Sequence, residues 1–470
     1  MASTSSKPVR PAYHCTECGN TVSKWHGRCP ECQAWGSITE AGPVVGALRK
    51  VSAGPVTAPA RRLADIDATT VTARPSGIGE LDRVLGGGLI PGSVVLLAGE
   101  PGVGKSTLLL AAAQSWAAAG NGAVLIVTGE ESVEQVRLRA GRIGALHPDV
   151  YLAAETELSA AIAHVESVAP TLLIIDSVQT IAAAEVDGSA GGVTQVRAVA
   201  SALTAVAKQR GIATVLVGHV TKDGAIAGPR VLEHLVDVVL HFEGDRHTSL
   251  RLIRGIKNRF GPSDEVGCFQ MAGDGIQSLA DPSGLFLSAR RASVPGTCAT
   301  IAVEGRRALP AEIQTLTTKS MQERPRRSVS GLAATRVEMT LAVLQRWGGL
   351  SLSNMDVMVA TVGGAKMVEP AADLAVSMAL WSAARDIPLA PGLVVMGELG
   401  LSADVRPINA VNQRLVEASR LGFDHALIPR TTDLVRPKGM RVDEVDDLGE
   451  AFRSLGNDTG VVHWLQSRRR

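Results

Sequence analysis

The segment that most constrains this chain is Gly99-Glu100-Pro101-Gly102-Val103-Gly104-Lys105-Ser106. It fits G-x₄-G-K-[ST] and lies between an apolar run, SVVLLA, and a helix-like run that opens near Lys105. A glycine-rich loop in that position turns backbone N–H groups inward, and the following helix N-terminus adds partial positive charge. The surrounding fold must therefore be an α/β domain that holds a triphosphate at the end of a strand. Gly99 through Ser106, with Thr107, form the predicted nucleotide-binding set for ATP. Lys105 is the cation for the β- and γ-phosphates, Ser106 the Mg²⁺ ligand, and Thr107 the contact nearer the ribose.

From about Ile78 to Leu279, further runs rich in Val, Ile and Leu alternate with helical stretches: AVLIVTG, TLLIID, ATVLVG, VDVVLHF and SLRLIRGIKN. Near-continuous apolar runs of this length fit parallel strands covered by helices on both faces. Polar residues fall at their ends, where such a sheet places its chemistry. Asp176 closes TLLIID and is the predicted Walker B carboxylate, opposite Ser106 across the Mg²⁺ shell. Glu130 and Glu131 follow AVLIVTG. Glu130 is preferred as the group that activates water, against the alternative that both acids only favour the helix N-terminus opened by Ser132-x-x-Gln135. His219 ends ATVLVGH and is assigned as a sensor of the γ-phosphate, with a structural histidine as the rival reading. Lys222 and Arg230 on the next loop are candidate DNA contacts. Lys257 and Arg259 end SLRLIRGIKN, two residues apart and so on one side of a strand. The P-loop already has Lys105, so this second pair is assigned to a neighbouring subunit's nucleotide.

Before this domain, Cys15-x₂-Cys18 and Cys29-x₂-Cys32 are separated by ten residues. Two such turns, with no thioredoxin-like unit around them, predict one structural Zn²⁺ held by four thiolates. Cys268 and Cys298 stand alone and read as buried thiols. The net charge of the 470 residues is only +1, so affinity for a polyanion must come from local clusters. Residues 1–62 carry eight Lys/Arg against three acids, and residues 285–330 repeat that ratio. Arg306, Arg307, Arg326 and Arg327 are the candidate DNA contacts of the second cluster. Aromatic residues are 3% of the chain, so contacts to nucleic acid should be mainly to phosphates. The absence of a long apolar run or signal-like segment predicts a cytoplasmic chain with no membrane partner.

The order of zinc knuckles, GEPGVGKST, LLIIDS and Lys257-Asn-Arg259-Phe-Gly261 (KNRFG) resembles the bacterial RadA (Sms) family over essentially the whole chain. The resemblance implies a DNA-dependent ATPase of DNA repair and homologous recombination. Such an enzyme forms hexameric rings, translocates on single-stranded DNA, and promotes branch migration of branched DNA beside the RecA recombinase. It also implies a zinc ribbon at 1–42, a linker at 43–75, a RecA-like core with a mostly parallel sheet at 76–282, and a basic tail at 457–470. Residues 283–456 then resemble the Lon protease domain. Where Lon-type proteases carry a serine nucleophile and a lysine base, this chain reads Glu369-Pro-Ala371-Ala-Asp373 and Pro407-Ile-Asn-Ala-Val-Asn412. That argues against the alternative of an ATP-driven peptidase. A slow signalling or scaffold ATPase is the other alternative.

Overall fold

Strands buried on both faces need helices on both sides, and the chain supplies them in alternation. The computed structural model describes residues 13–18, 20–40, 62, 65, 72–219, 232–244, 249–287, 294–362 and 367–455. The chain divides into two units, residues 1–68 and 69–470. In the first, β1 (Tyr13–Cys15), β2 (Thr21–Val22) and β3 (Ile38–Glu40) form a small antiparallel sheet in the order β2-β1-β3.

The second unit is built on two large sheets. The first contains β4 (Val94–Gly99), β5 (Val124–Thr128), β6 (Val150–Ala154), β7 (Leu172–Asp176), β8 (Ala213–His219), β9 (Val238–Gly244), β10 (Leu250–Asn258), β11 (Val266–Ala272) and β12 (Gly275–Ser278). Their order is β12-β11-β10-β9-β4-β8-β7-β5-β6. Pairing is parallel from β9 through β6 and antiparallel from β9 to β12. The apolar run SLRLIRGIKN, expected to be one of the buried parallel strands, departs from that expectation. Five residues join β9 to β10, too few for a crossover, so β10 returns antiparallel and is only partly buried.

Alternate residues of β4 explain its unbroken apolar sequence. Val95 and Leu97 pack beneath α1 (Gly79–Leu85), α2 (Lys105–Ala118) and α3 (Val133–Arg142). Val94, Leu96 and Ala98 face α4 (Leu158–Val168) and α5 (Val193–Arg210) on the other side. The capping box at the start of α3 forms as read, with Ser132 and Gln135 each accepting from the other's backbone N–H.

After the short helix α6 (Ser283–Phe286), the second sheet comprises β13 (Thr297–Glu304), β14 (Arg307–Lys319), β15 (Arg327–Ser330), β16 (Met355–Thr361), β17 (Leu393–Val395), β20 (His425–Pro429) and β21 (Arg441–Val445). Its order is β15-β16-β14-β13-β17-β20-β21, and β18 (Glu398–Leu399) pairs with β19 (Val405–Arg406) beside it. One face packs on α7 (Ala334–Arg346), α8 (Asp373–Arg385) and α10 (Leu448–Leu455), and part of the other on α9 (Val411–Arg420). The two sheets meet through charged contacts: Arg307 with Glu80, Arg254 with Glu304 at 2.5 Å, and Arg420 with Asp281 at 2.9 Å.

Arg307 is therefore a correction to the proposed DNA contacts. Its side chain is 8% exposed, pairs with the 5% exposed Glu80, and donates to the carbonyls of Val266 and Ala280. A guanidinium with its donors spent inside the protein has none to offer a phosphate. Among the described residues, no helix is long and apolar enough to cross a membrane.

Candidate functional site

Four parallel strands end side by side and bring the polar groups together. Gly99 of β4 is in register with His219 of β8, and Thr128 of β5 with Asp176 of β7. Backbone geometry needs glycine at two points of the loop after β4: Gly102 has φ 79°, and Gly104, at the N-cap of α2, has φ 115°. Gly99 is required for another reason, since a Cβ there would lie 2.4 Å from the Phe242 carbonyl oxygen. These positions allow the backbone turn that cradles phosphate oxygens.

Lys105 is 4% exposed. Its Nζ donates to the carbonyls of Gly99 (2.8 Å) and Glu100 (2.9 Å) and lies 3.3 Å from Nδ1 of His219. On the other side of that ring, Nε2 is 2.9 Å from Oε1 of Glu130. A neutral imidazole with its proton on Nε2 satisfies both contacts, accepting from the ammonium and donating to the carboxylate. Ser177 Oγ also donates to Glu130. Ser106 favours the ionised Asp176 and lines the same small cavity, so the two expected Mg²⁺-shell residues are adjacent.

The charges are tuned by these neighbours. The His219 hydrogen bond holds Glu130 down to about 2, with help from Ser177 and Lys105 and against the opposing effect of burial. Burial pushes Asp176 up, and the nearby Glu130 charge adds to this. Desolvation lowers Lys105, while Asp176 and Glu130 oppose that shift. Cations and carboxylates gathered at a helix N-terminus suit a magnesium-bound polyphosphate, whose charge would complete the balance.

The paired acids after β5 have different surroundings. Backbone N–H groups of Glu130 and Glu131 both reach Thr128 Oγ1, which folds the strand tip. Glu131 is then engaged by Arg139 Nη2 at 2.5 and 2.6 Å, while Glu130 faces His219 and Ser177. The sequence reading missed Ser177, although it directly follows Asp176. It also missed Gln179, whose side-chain amide atoms are both buried and have no hydrogen-bond partner among the described residues. Neither type of residue stands out in a motif, because serine and glutamine acquire a role only from their neighbours.

The KNRFG segment lies elsewhere. Asn258 pairs with Val238, which lies beside Val95 at the start of β4. From Val95, β4 runs four residues further to Gly99 at the P-loop, about 13 Å at a strand's rise per residue. Lys257 Nζ donates to the carbonyls of Glu233 (2.6 Å) and Val236 (2.8 Å). Arg259 contacts the buried Asp237 at 3.1 Å, yet its side chain stays 51% exposed. Asn258 donates to the Leu85 carbonyl, and Gly261 packs against Gly86. The structure thus does not bring Lys257 and Arg259 to their own chain's P-loop.

Of the remaining candidate DNA contacts, Arg306 is exposed and lies 3.8 Å from Glu265. Arg326 and Arg327 are exposed at the start of the edge strand β15. Lys222, Arg230, most of the linker and the basic tail lie outside the described residues. At the Lon-like positions, Ala371 is buried and Asn412 is tied to Asp433 and Val435. Glu369 forms a two-pronged pair, at 2.6 and 2.8 Å, with Arg414, which is 1% exposed.

In the first unit, all four thiols converge. Sγ atoms of Cys15, Cys18, Cys29 and Cys32 lie within 4.8 Å of one another, and the closest pairs are 3.6 and 3.7 Å apart. Bonds of about 2.3 Å to a tetrahedral zinc require sulfur separations of nearly this size. Close contact with Ser37 Oγ lowers the Cys15 thiol to about 6, toward the thiolate a metal needs. Cys268 and Cys298 are buried, and burial raises both thiols, as expected for inert packing groups.

Together, the fold and these two sites define a P-loop ATPase carrying a zinc ribbon. Family models agree: residues 59–225 match an AAA domain, residues 13–40 a rubredoxin metal binding domain, and residues 310–432 the ChlI subunit of Mg-chelatase. The chain is 51% identical to the DNA repair protein RadA of Mycobacterium tuberculosis, covering 97% of this chain and 98% of the relative. With the RadA of Mycolicibacterium smegmatis it is 49% identical over 95% and 97% of the two chains. With that of Streptococcus pyogenes serotype M6 the identity is 41% over 95% and 99%. The chain belongs to the RadA family. Its four clustered cysteines are a structural zinc site, and its P-loop is a site for ATP with Mg²⁺.

Proposed function

We propose that this chain is a DNA-dependent ATPase of DNA repair and homologous recombination. It works in the cytoplasm as a ring, most simply a hexamer, that translocates on single-stranded DNA and promotes branch migration of branched intermediates alongside RecA. The relatives' names support the repair role. In this reading Lys105 binds the phosphates, Ser106 and Asp176 hold Mg²⁺, and Glu130 activates water. His219, in contact with both Lys105 and Glu130, senses the γ-phosphate. The proposed division is a ribbon at 1–42, a linker at 43–75, an ATPase core at 76–282, a proteolytically inactive Lon-like domain at 283–456 and a tail at 457–470.

One observation carries the ring: the P-loop groups converge at one edge of the sheet while Lys257 and Arg259 lie near the other. A cation that cannot serve its own nucleotide can complete a neighbour's site, stabilising the transferring phosphoryl group only when the interface closes. Mixing tests this. Lys105→Ala subunits keep Arg259, and Arg259→Ala subunits keep the P-loop, so mixed rings contain interfaces with both parts intact and should recover turnover. Mixed rings that form yet stay as inactive as either parent would contradict the trans assignment. Stimulation of turnover by single-stranded or forked DNA separates the motor from a slow scaffold ATPase.

A further inference from the structure

The zinc ribbon carries a surface that its metal does not explain. Trp25 and Trp35 are 61% and 77% exposed, among the most exposed large apolar side chains described. Their placement is fixed. Trp25 Nε1 donates to the Ile38 carbonyl at 3.1 Å, and Trp35 forms an antiparallel bridge with Arg28. Gly27 sits beside both rings: a Cβ there would lie 3.8 Å from Trp25 Cη2 and 3.9 Å from Trp35 Cζ3, so an edge of each indole borders the space over Gly27.

The charge around the slot fits a nucleic acid strand. Lys24, His26 and Arg28 are exposed on alternate residues of the segment that holds Trp25 and Gly27. Arg28 lies over the Trp35 ring, 5.8 Å from its centroid, and is steadied by bonds to Gln33 O and Oε1. The acids Glu17 and Glu31 belong to the two Cys-x₂-Cys turns, and no acid lies between residues 18 and 31. We propose that Trp25 and Trp35, over Gly27, form a base-stacking slot for an unpaired nucleotide, with Lys24, His26 and Arg28 facing its flanking phosphates. The proposal rests on the reading that the protein acts on DNA.

The test uses the full-length protein and two labelled strands of equal length and phosphate count, an oligothymidine and an abasic strand, with binding followed by anisotropy. Wild type should bind the base-bearing strand about tenfold or more tightly, the size of one base stacked on an aromatic ring. Gly27→Val fills the slot without removing either indole, and Gly27 is not among the positive-φ glycines, so the substitution suits its backbone. That variant and Trp35→Ala should lose the advantage of the base-bearing strand, while affinity for the abasic strand and zinc content stay unchanged. Equal binding of both strands by wild type overturns the slot and leaves the DNA reading standing. So does retention of the full preference by both zinc-loaded variants, which would assign the surface to a protein partner. Failure of wild type to bind either strand sinks both readings.

Discussion

The carboxyl edge of the nine-stranded sheet and the cleft beside α9 in the second sheet both gather buried charge, and they use it in opposite ways. At the first, Lys105 holds only neutral carbonyls and an imidazole, while Asp176 is pushed up by burial beside the Glu130 charge. These charges are oriented but not neutralised by one another, and a magnesium-bound triphosphate can join them. At the second, Glu369 and Arg414 satisfy each other, and Arg414 spends further donors on the Asn409 and Ile301 carbonyls. A cavity of about 500 Å³ lies beside them, yet its walls hold no hydroxyl or thiol nucleophile. The difference shows that reactive capacity depends on what remains unpaired after folding, more than on how many ionisable groups meet.

Several substitutions bear on that contrast. The largest effect is expected from Lys105→Ala, with ATP turnover reduced by about 10³-fold or more while the circular dichroism spectrum is retained. Turnover near wild type would place the site elsewhere. Glu130→Gln should follow, losing about 10²-fold or more in turnover with nucleotide affinity nearly intact. Glu131→Gln, which only frees Arg139, should cost far less; equal losses would undo the distinction between the two acids.

Away from the ATP site, charge should matter to stability. Arg307→Ala leaves the buried Glu80 carboxylate with only Arg83, 3.4 Å away, and the Cys268 N–H, and is expected to cost about 3 kcal/mol in denaturant unfolding. Replacing both members of the other pair, Glu369→Leu with Arg414→Met, leaves no unpaired charge but strands the Val303 N–H and the Ile301 and Asn409 carbonyls, so it should cost about 3 kcal/mol while leaving ATP turnover unchanged. A large loss of turnover there would mean that the second cleft takes part in the reaction. The smallest effect concerns pH. Because Glu130 is depressed to about 2 from an ordinary 4.5, its contribution to stability is full above 4.5 and is lost as pH falls through 2. His219→Ala removes the main cause, so the variant's melting temperature should fall less steeply than wild type between those values.

The P-loop, the four cysteines and the aspartate at the end of β7 were legible because their chemistry imposes local spacing: glycines at fixed positions, thiols with two residues between them, a carboxylate ending a buried run. The antiparallel return of β10 was less so, because an apolar run reports burial but not direction, and the brevity of the β9–β10 connection decided the pairing. Arg307 shows the same limit. In sequence it is one of eight cations in a basic stretch, identical in kind to Arg306 beside it. Arg306 lies in the turn between β13 and β14 and faces solvent, whereas Arg307 opens β14 and enters the seam with Glu80. The sequence by itself determined the class of chemistry and the strands that carry it. Only the tertiary structure decided that Glu130 faces His219 while Glu131 is tied to Arg139, and that KNRFG lies far along the sheet from its own P-loop. Those outcomes depend on contacts between residues far apart in the chain, and no local spacing encodes them.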